Sequence, residues 1–135
     1  MRMKLTNLTL NERPVVCVFD SQIRISCVRD MACSRGEKQR LDAPRKLIWE
    51  GRTRVLESAI LAQVVLDGQS LVTLAYVCDD LGCDESGAPI DLVIGSLTLK
   101  AWNVSWDASQ CTLDFTRVGQ FIDEFSDLEQ CGLAA

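Results

Sequence analysis

The dipeptide Asp67-Gly68 separates two β-rich runs and leaves them essentially one arrangement. Asp-Gly suits the two-residue turn of a β-hairpin, where both turn positions take a positive φ. Arg54 to Leu66 therefore reads as a long strand with alternation at its start, and Ser70 to Val77 as its return strand. Upstream, Lys46-Leu47-Ile48-Trp49 reads as a further strand. Glu50-Gly51-Arg52-Thr53 is then a hairpin tip, with Gly51 free to take a positive φ. These strands make a β-meander whose tip at Gly51 projects.

The remaining segments extend the same pattern. Met3, Leu5, Leu8 and Leu10 alternate loosely with polar residues, and Asn11-Glu12-Arg13-Pro14 is a turn signal. Residues 3–10 and 14–20 are thus expected as an antiparallel hairpin. Ser21 to Val28 alternates again, with Ile23, Ile25 and Cys27 on one face. Arg29 to Gln39 reads as a short helical turn followed by a loop, and Pro44 opens a new extended segment. Asp79 to Pro89 is an acidic loop, and Ile90 to Ile94 a short strand. Ser96 is placed to cap a short helix over Leu97 to Trp102. Val104 to Trp106 and Thr112 to Thr116 form a closing hairpin. From Arg117 the period changes: Val118, Phe121, Ile122, Phe125 and Leu128 fall at helical spacing, predicting an amphipathic helix over 117–131. The fold class is mainly β, in a single domain over 1–135, with one short helix and this C-terminal one.

Composition narrows the chemistry. The chain has 135 residues, 47% of them hydrophobic, enough for one real core. It has no histidine. That removes Ser-His and Cys-His nucleophile pairs and the usual zinc sites, and leaves carboxylate, thiol or lysine chemistry. Seven cysteines without CxxC pairs read as free thiols in a reducing cytoplasm. No apolar run approaches ~18 residues, so no membrane partner is expected. Residues 1–54 carry 12 Lys/Arg and 6 Asp/Glu, and residues 55–135 carry 2 and 13. The basic charges are scattered among apolar residues without stacking aromatics, so they read as solvated surface and no nucleic-acid partner is expected. Asp79, Asp80, Asp84 and Glu85 lack the alternating ligand spacing of a calcium loop, and no metal or other cofactor is expected.

Val15-Val16-Cys17-Val18-Phe19 is apolar and mostly β-branched, as in a strand covered on both faces, and it ends at Asp20-Ser21. A carboxylate at the end of such a strand has two readings at this point. It is a turn-forming Asp, or it is a catalytic group on a rigid support.

Three motifs together resemble the retroviral-type aspartic peptidases, the retropepsins and their cellular and bacterial relatives. Val16 to Arg29, VCVFDSQIRISCVR, resembles the active-site segment, with Ser26 about where the family places a further Ser. Ala59 to Gly68, AILAQVVLDG, resembles the strand after the flap and its turn. Asp91 to Leu99, DLVIGSLTL, resembles the apolar-apolar-Gly segment and its following helix. The match covers about residues 14–116. It implies a closed β-barrel or sandwich subunit with a projecting flap hairpin. It also implies a homodimer in which each copy gives one Asp20 to a shared site acting on a peptide or protein substrate. Ser21 would hold the two loops across the axis. The flap near Gly51 would close over the peptide, with Trp49, Gly51 and Arg52 as substrate-binding candidates. The motif departs at two places: Gln22 stands where the family has Gly, and Ile23 where it has a small residue. Three readings follow: an active aspartic endopeptidase, a peptidase-like fold serving as a dimerisation or peptide-binding module, and an unrelated small β domain.

Overall fold

Residues 2–5, 7–110 and 112–118 are described by a computed structural model. The chain divides into two compact units, Met1–Thr98 and Leu99–Ala135. The first unit is one curled sheet. Its strands are β1 (Arg2–Leu5), β2 (Leu8–Leu10), β3 (Arg13–Pro14), β4 (Cys17–Asp20), β5 (Ser26–Arg29), β6 (Gln39–Trp49), β7 (Arg52–Leu66), β8 (Gln69–Cys78) and β9 (Leu92–Ile94). A short helix, α1 (Ser96–Ala101), spans the division between the units. In the second unit β10 (Ser105–Asp107) and β11 (Thr112–Asp114) form the expected hairpin. The amphipathic segment expected over 117–131 lies almost wholly outside the described residues.

β7 is the spine. Leu56, Ile60, Ala62, Val64 and Leu66 point into the core, while Val55, Glu57, Leu61, Gln63 and Val65 face outward. Along one side β7 pairs with β8, from Ala59↔Tyr76 to Leu66↔Gln69. Along the other its first half pairs with β6 and its end with β2. Both hairpin turns are two residues long. Asp67 and Gly68 take φ values of 51° and 78°, and Glu50 and Gly51 take 52° and 73°. Trp49 pairs directly with Arg52, so the tip is Glu50-Gly51 alone and Arg52-Thr53 already belong to β7.

β4 and β9 run parallel at the centre, buried along their whole lengths. β5 then pairs antiparallel with β9 and parallel with β8. Asp91 joins this centre. Its Oδ2 accepts from the Val16 amide at 2.9 Å, and its Oδ1 accepts from Arg29 Nε and Nη2 at 3.2 and 2.7 Å.

Three expectations are corrected. Residues 21–25 are not strand, because Asp20 and the start of α1 take their backbone groups into a turn. β6 begins at Gln39, at the end of the expected loop and ahead of the extended segment expected from Pro44, because the long β7 offers Gln39 and Arg40 the partners Ala59 and Ser58. Pro44 falls where the register shifts between Arg40 and Arg45, on a strand with one neighbour, so its missing N–H breaks no ladder. Ser96 is the first helical residue rather than a cap outside the helix. The expected hairpin of residues 3–10 and 14–20 forms in two parts, β1 with β4 and β2 with β3.

Candidate functional site

Asp20 is the last residue of β4 and is 5% exposed. Burial of β4 on both faces fixes its backbone, and the side chain is fixed locally. Its Oδ1 accepts the Gln22 amide at 2.9 Å, closing an Asx-type turn over exposed Ser21. The turn reading and the site reading of Asp20 are therefore compatible. The carboxylate that could act chemically is also the one that shapes the loop.

The loop after Asp20 is held from below. The Ser96 amide donates to the Ile23 carbonyl at 2.8 Å, and the Leu97 amide to the Arg24 carbonyl at 3.1 Å. Gly95 makes this approach possible. A Cβ there would sit 2.3 Å from the Ile25 carbonyl oxygen, inside any permissible contact. Ser26 Oγ accepts the Gly95 amide at 3.0 Å and shares a hydrogen bond with Thr98 Oγ1 at 2.7 Å. Thr98 Oγ1 in turn lies 2.8 Å from Thr73 Oγ1 on β8. Ser26 was visible in the sequence as a motif position. Thr73 and Thr98 carry no local signal, since their hydroxyls meet only when β5, β8 and α1 are assembled.

A cavity of about 300 Å³ opens at Asp20, bounded by Arg2, Gln22, Ile48, Trp49 and Glu50. Trp49 lies buried under two guanidiniums, Arg2 at 5.9 Å and Arg54 at 5.0 Å from its ring centre. Arg2 Nη1 also donates to Glu50 Oε1 at 2.6 Å, tying β1 to the hairpin tip. Of the residues singled out in the sequence, Asp20 and Trp49 thus border one cavity. Gly51 and Arg52 are exposed on the same hairpin but do not line it, and Arg52 borders a separate recess beside Arg54 and Asp79. Arg2 and Glu50 gave no sequence signal for this place.

Gln22 is exposed, and its φ is not positive. The turn therefore accepts a side chain without backbone strain, and the replacement of the motif glycine costs the isolated subunit nothing in φ/ψ.

Beneath the hairpin, Cys27 and Cys78 form a thiol pair. The hydrogen bond with Cys78 and burial push the Cys27 thiol up, while that same bond and the Arg54 guanidinium pull Cys78 down against its own burial. Among the described residues Cys17, Cys27, Cys33, Cys78 and Cys83 are all free. In the acidic loop, Asp84 Oδ1 accepts from the Ser86 amide, Ser86 Oγ and the Ala88 amide, and Oδ2 from Lys4 Nζ at 2.6 Å. Its carboxylate serves to shape the loop. Among the described residues no helix is long and apolar enough to cross a membrane.

The central parallel pair, the crossing return of β5 beside β9, the long β6–β7 hairpin and the helix after Gly95 define a mainly β, retropepsin-like fold. The solved structures include the retroviral protease-like domain of Ddi1 from Leishmania major, to which this chain is similar. The likeness has a TM-score of 0.52 at 19% identity, over 82% of this chain and 86% of that one. No protein-family model matches the sequence, and no curated protein matches it.

Proposed function

We propose that the chain is a retropepsin-like aspartic peptidase homologue, with two copies each giving one Asp20 to a shared site and the β6–β7 hairpin acting as flap. The observation that carries this reading is the position of Asp20: a fixed carboxylate at the end of a doubly covered strand, opening on a cavity that Trp49 and Glu50 of the β6–β7 hairpin border. Two carboxylates brought within a few ångström cannot both be charged, so the pair holds one proton. The charged member takes a proton from water, whose oxygen attacks the scissile carbonyl carbon. The protonated member polarises the carbonyl oxygen. Collapse of the tetrahedral intermediate breaks the C–N bond and returns a proton to the leaving nitrogen. No histidine is needed, in keeping with the composition.

The test compares cleavage of an unstructured protein at mildly acidic pH by the wild type and by Asp20→Asn, alongside solution mass. Cleavage lost in the variant of a dimeric protein supports the reading. Cleavage insensitive to the change removes Asp20 as the catalyst, and a strictly monomeric active protein removes the shared site.

A second reading has its own observation. Gln22 and Ile23 stand where the resembling family has small residues, and Gln22 projects at the cavity border where a partner's loop would approach. A non-catalytic dimerisation or peptide-binding module follows if that crowding holds the two Asp20 groups apart. A displacement of ~1 Å is enough to cost ~100-fold in rate. Gln22→Gly separates the two: activity gained by the variant and absent from the wild type marks lost catalysis.

A further inference from the structure

A second cavity, of about 530 Å³, lies beside the Asp20 cavity, with Gln22 and Ile48 bordering both. Its charged lining has one sign. Arg24, Arg45 and Lys46 border it and no carboxylate does. None of the ion pairs among the described residues includes any of the three. Arg45 is held in place by a neutral partner: its Nη1 donates to Tyr76 Oη at 3.1 Å, and its guanidinium lies 5.7 Å from that ring's centre. The position of Arg24 is set by its own carbonyl, which the Leu97 amide holds. Lys46 is set by its pairing with Val55 in the β6–β7 ladder. The three cations are thus carried on anchored backbone, and like charges gathered without counter-ions favour an anionic occupant.

We infer that this groove takes an extended acidic peptide, a selectivity that rests on the reading of the Asp20 cavity as a peptide site. The remainder of the lining fits a polypeptide. Ile23, Ile25, Leu47 and Ile48 supply apolar contact between the charges. Among the described residues β6 pairs with β7 alone, which leaves its second edge for backbone pairing with an extended chain. A nucleic acid would need exposed rings to stack on. The aromatic residue here, Tyr76, is buried and engaged by Arg45.

The test is fluorescence anisotropy on the Asp20→Asn protein, which keeps any hydrolysis from consuming the probe. The probes are a short labelled peptide alternating Glu and Val, its Gln and Lys counterparts, and a single-stranded oligothymidylate. The Glu peptide is expected to bind roughly tenfold tighter than the Gln peptide at low salt, with the advantage shrinking as salt is added. Arg24→Glu combined with Lys46→Glu, both at exposed positions, is expected to abolish that preference and favour the Lys peptide. Equal affinity for the Glu and Gln peptides overturns the acidic selectivity while leaving the peptide site standing. Oligothymidylate bound as tightly as the Glu peptide overturns it in favour of nucleic acid. Failure of every peptide to bind overturns the peptide site itself, and the selectivity with it.

Discussion

Ser26 Oγ and Thr98 Oγ1 meet at 2.7 Å although 72 residues separate them in the chain. The contact is buried and lies directly under the loop that begins at Asp20. It joins β5 to α1, and through Thr73 it reaches β8. Ser26→Ala removes the acceptor of the buried Gly95 amide as well as this contact, and is expected to cost about 1–3 kcal/mol. Thr98→Val should cost less, since Ser26 keeps the Gly95 amide. Because the residues share one network, the double variant should lose less than the two singles together. Urea unfolding of the three variants measures this, and strict additivity would sink the network.

Gly95→Ala tests the closeness of α1 to the loop. The added Cβ meets backbone rather than a movable side chain, so relief requires shifting residues 24–25. A loss of about 1–3 kcal/mol is expected from thermal or urea unfolding, on the scale of overpacked cores. An unchanged midpoint would show that the loop is not held as described.

Asp91 ties two residues together twice over: its carboxylate accepts from the Arg29 guanidinium and the Val16 amide, and its backbone accepts from the Arg29 amide and donates to the Val16 carbonyl. Its side chain is 15% exposed and that of Arg29 25%. Asp91→Ala leaves the guanidinium and an amide without an acceptor, and is expected to cost roughly 2–4 kcal/mol. Added salt should change the wild-type stability little on this account, since the pair is mostly shielded. A cost within the ±0.5 kcal/mol typical of surface substitutions would contradict this role.

Acid should weaken the fold partly through Glu37. Burial pushes its carboxyl up, but hydrogen bonds from the Ser34 amide and hydroxyl, Asn11 and Arg13 outweigh it and bring the pKa down from 4.5 to about 2. A carboxyl lowered on folding stabilises the native state above its unfolded pKa, and the contribution fades as pH falls through that window toward the folded value. Stability followed from pH 6 to 2 should therefore fall less steeply below pH 4.5 in Glu37→Gln than in the wild type. Parallel profiles would remove Glu37 from the acid response.

Thiol reactivity should follow burial. Cys83 is exposed, whereas Cys17, Cys27 and Cys78 are buried, and burial holds the Cys17 thiol far above its ordinary value. Peptide mapping after brief native alkylation should find Cys83 modified well before these three. Early modification of Cys17 or Cys27 would show that the central strands open.

Local chemistry carried much of this fold. Asp67-Gly68 and Glu50-Gly51 adopt the left-handed conformations of two-residue hairpin turns, and the strands on either side follow. The alternation in β7 and the apolar run into Asp20 were readable because side chains in a strand alternate with a period of two. The turn at residues 21–25 was not readable as such. Its alternation of Ile23 and Ile25 imitates a strand, while its carbonyls are held by the distant Ser96 and Leu97 amides. Residues 39–43, ahead of the extended segment read from Pro44, likewise lack a strand pattern and are extended by the edge that β7 presents.

By itself, the sequence determined the class of the fold and the address of one carboxylate, because turns, alternation and the end of a buried strand are properties of neighbouring residues. Only the tertiary structure decided what surrounds Asp20. Arg2 reaches its cavity from β1 and Ile48 and Glu50 from the β6–β7 hairpin, Arg24 gathers with Arg45 and Lys46, and the Ser26–Thr98–Thr73 hydroxyls meet beneath the loop. Those groupings depend on strand order and register, which bring distant segments within hydrogen-bond reach and leave no trace in the spacing of any one segment.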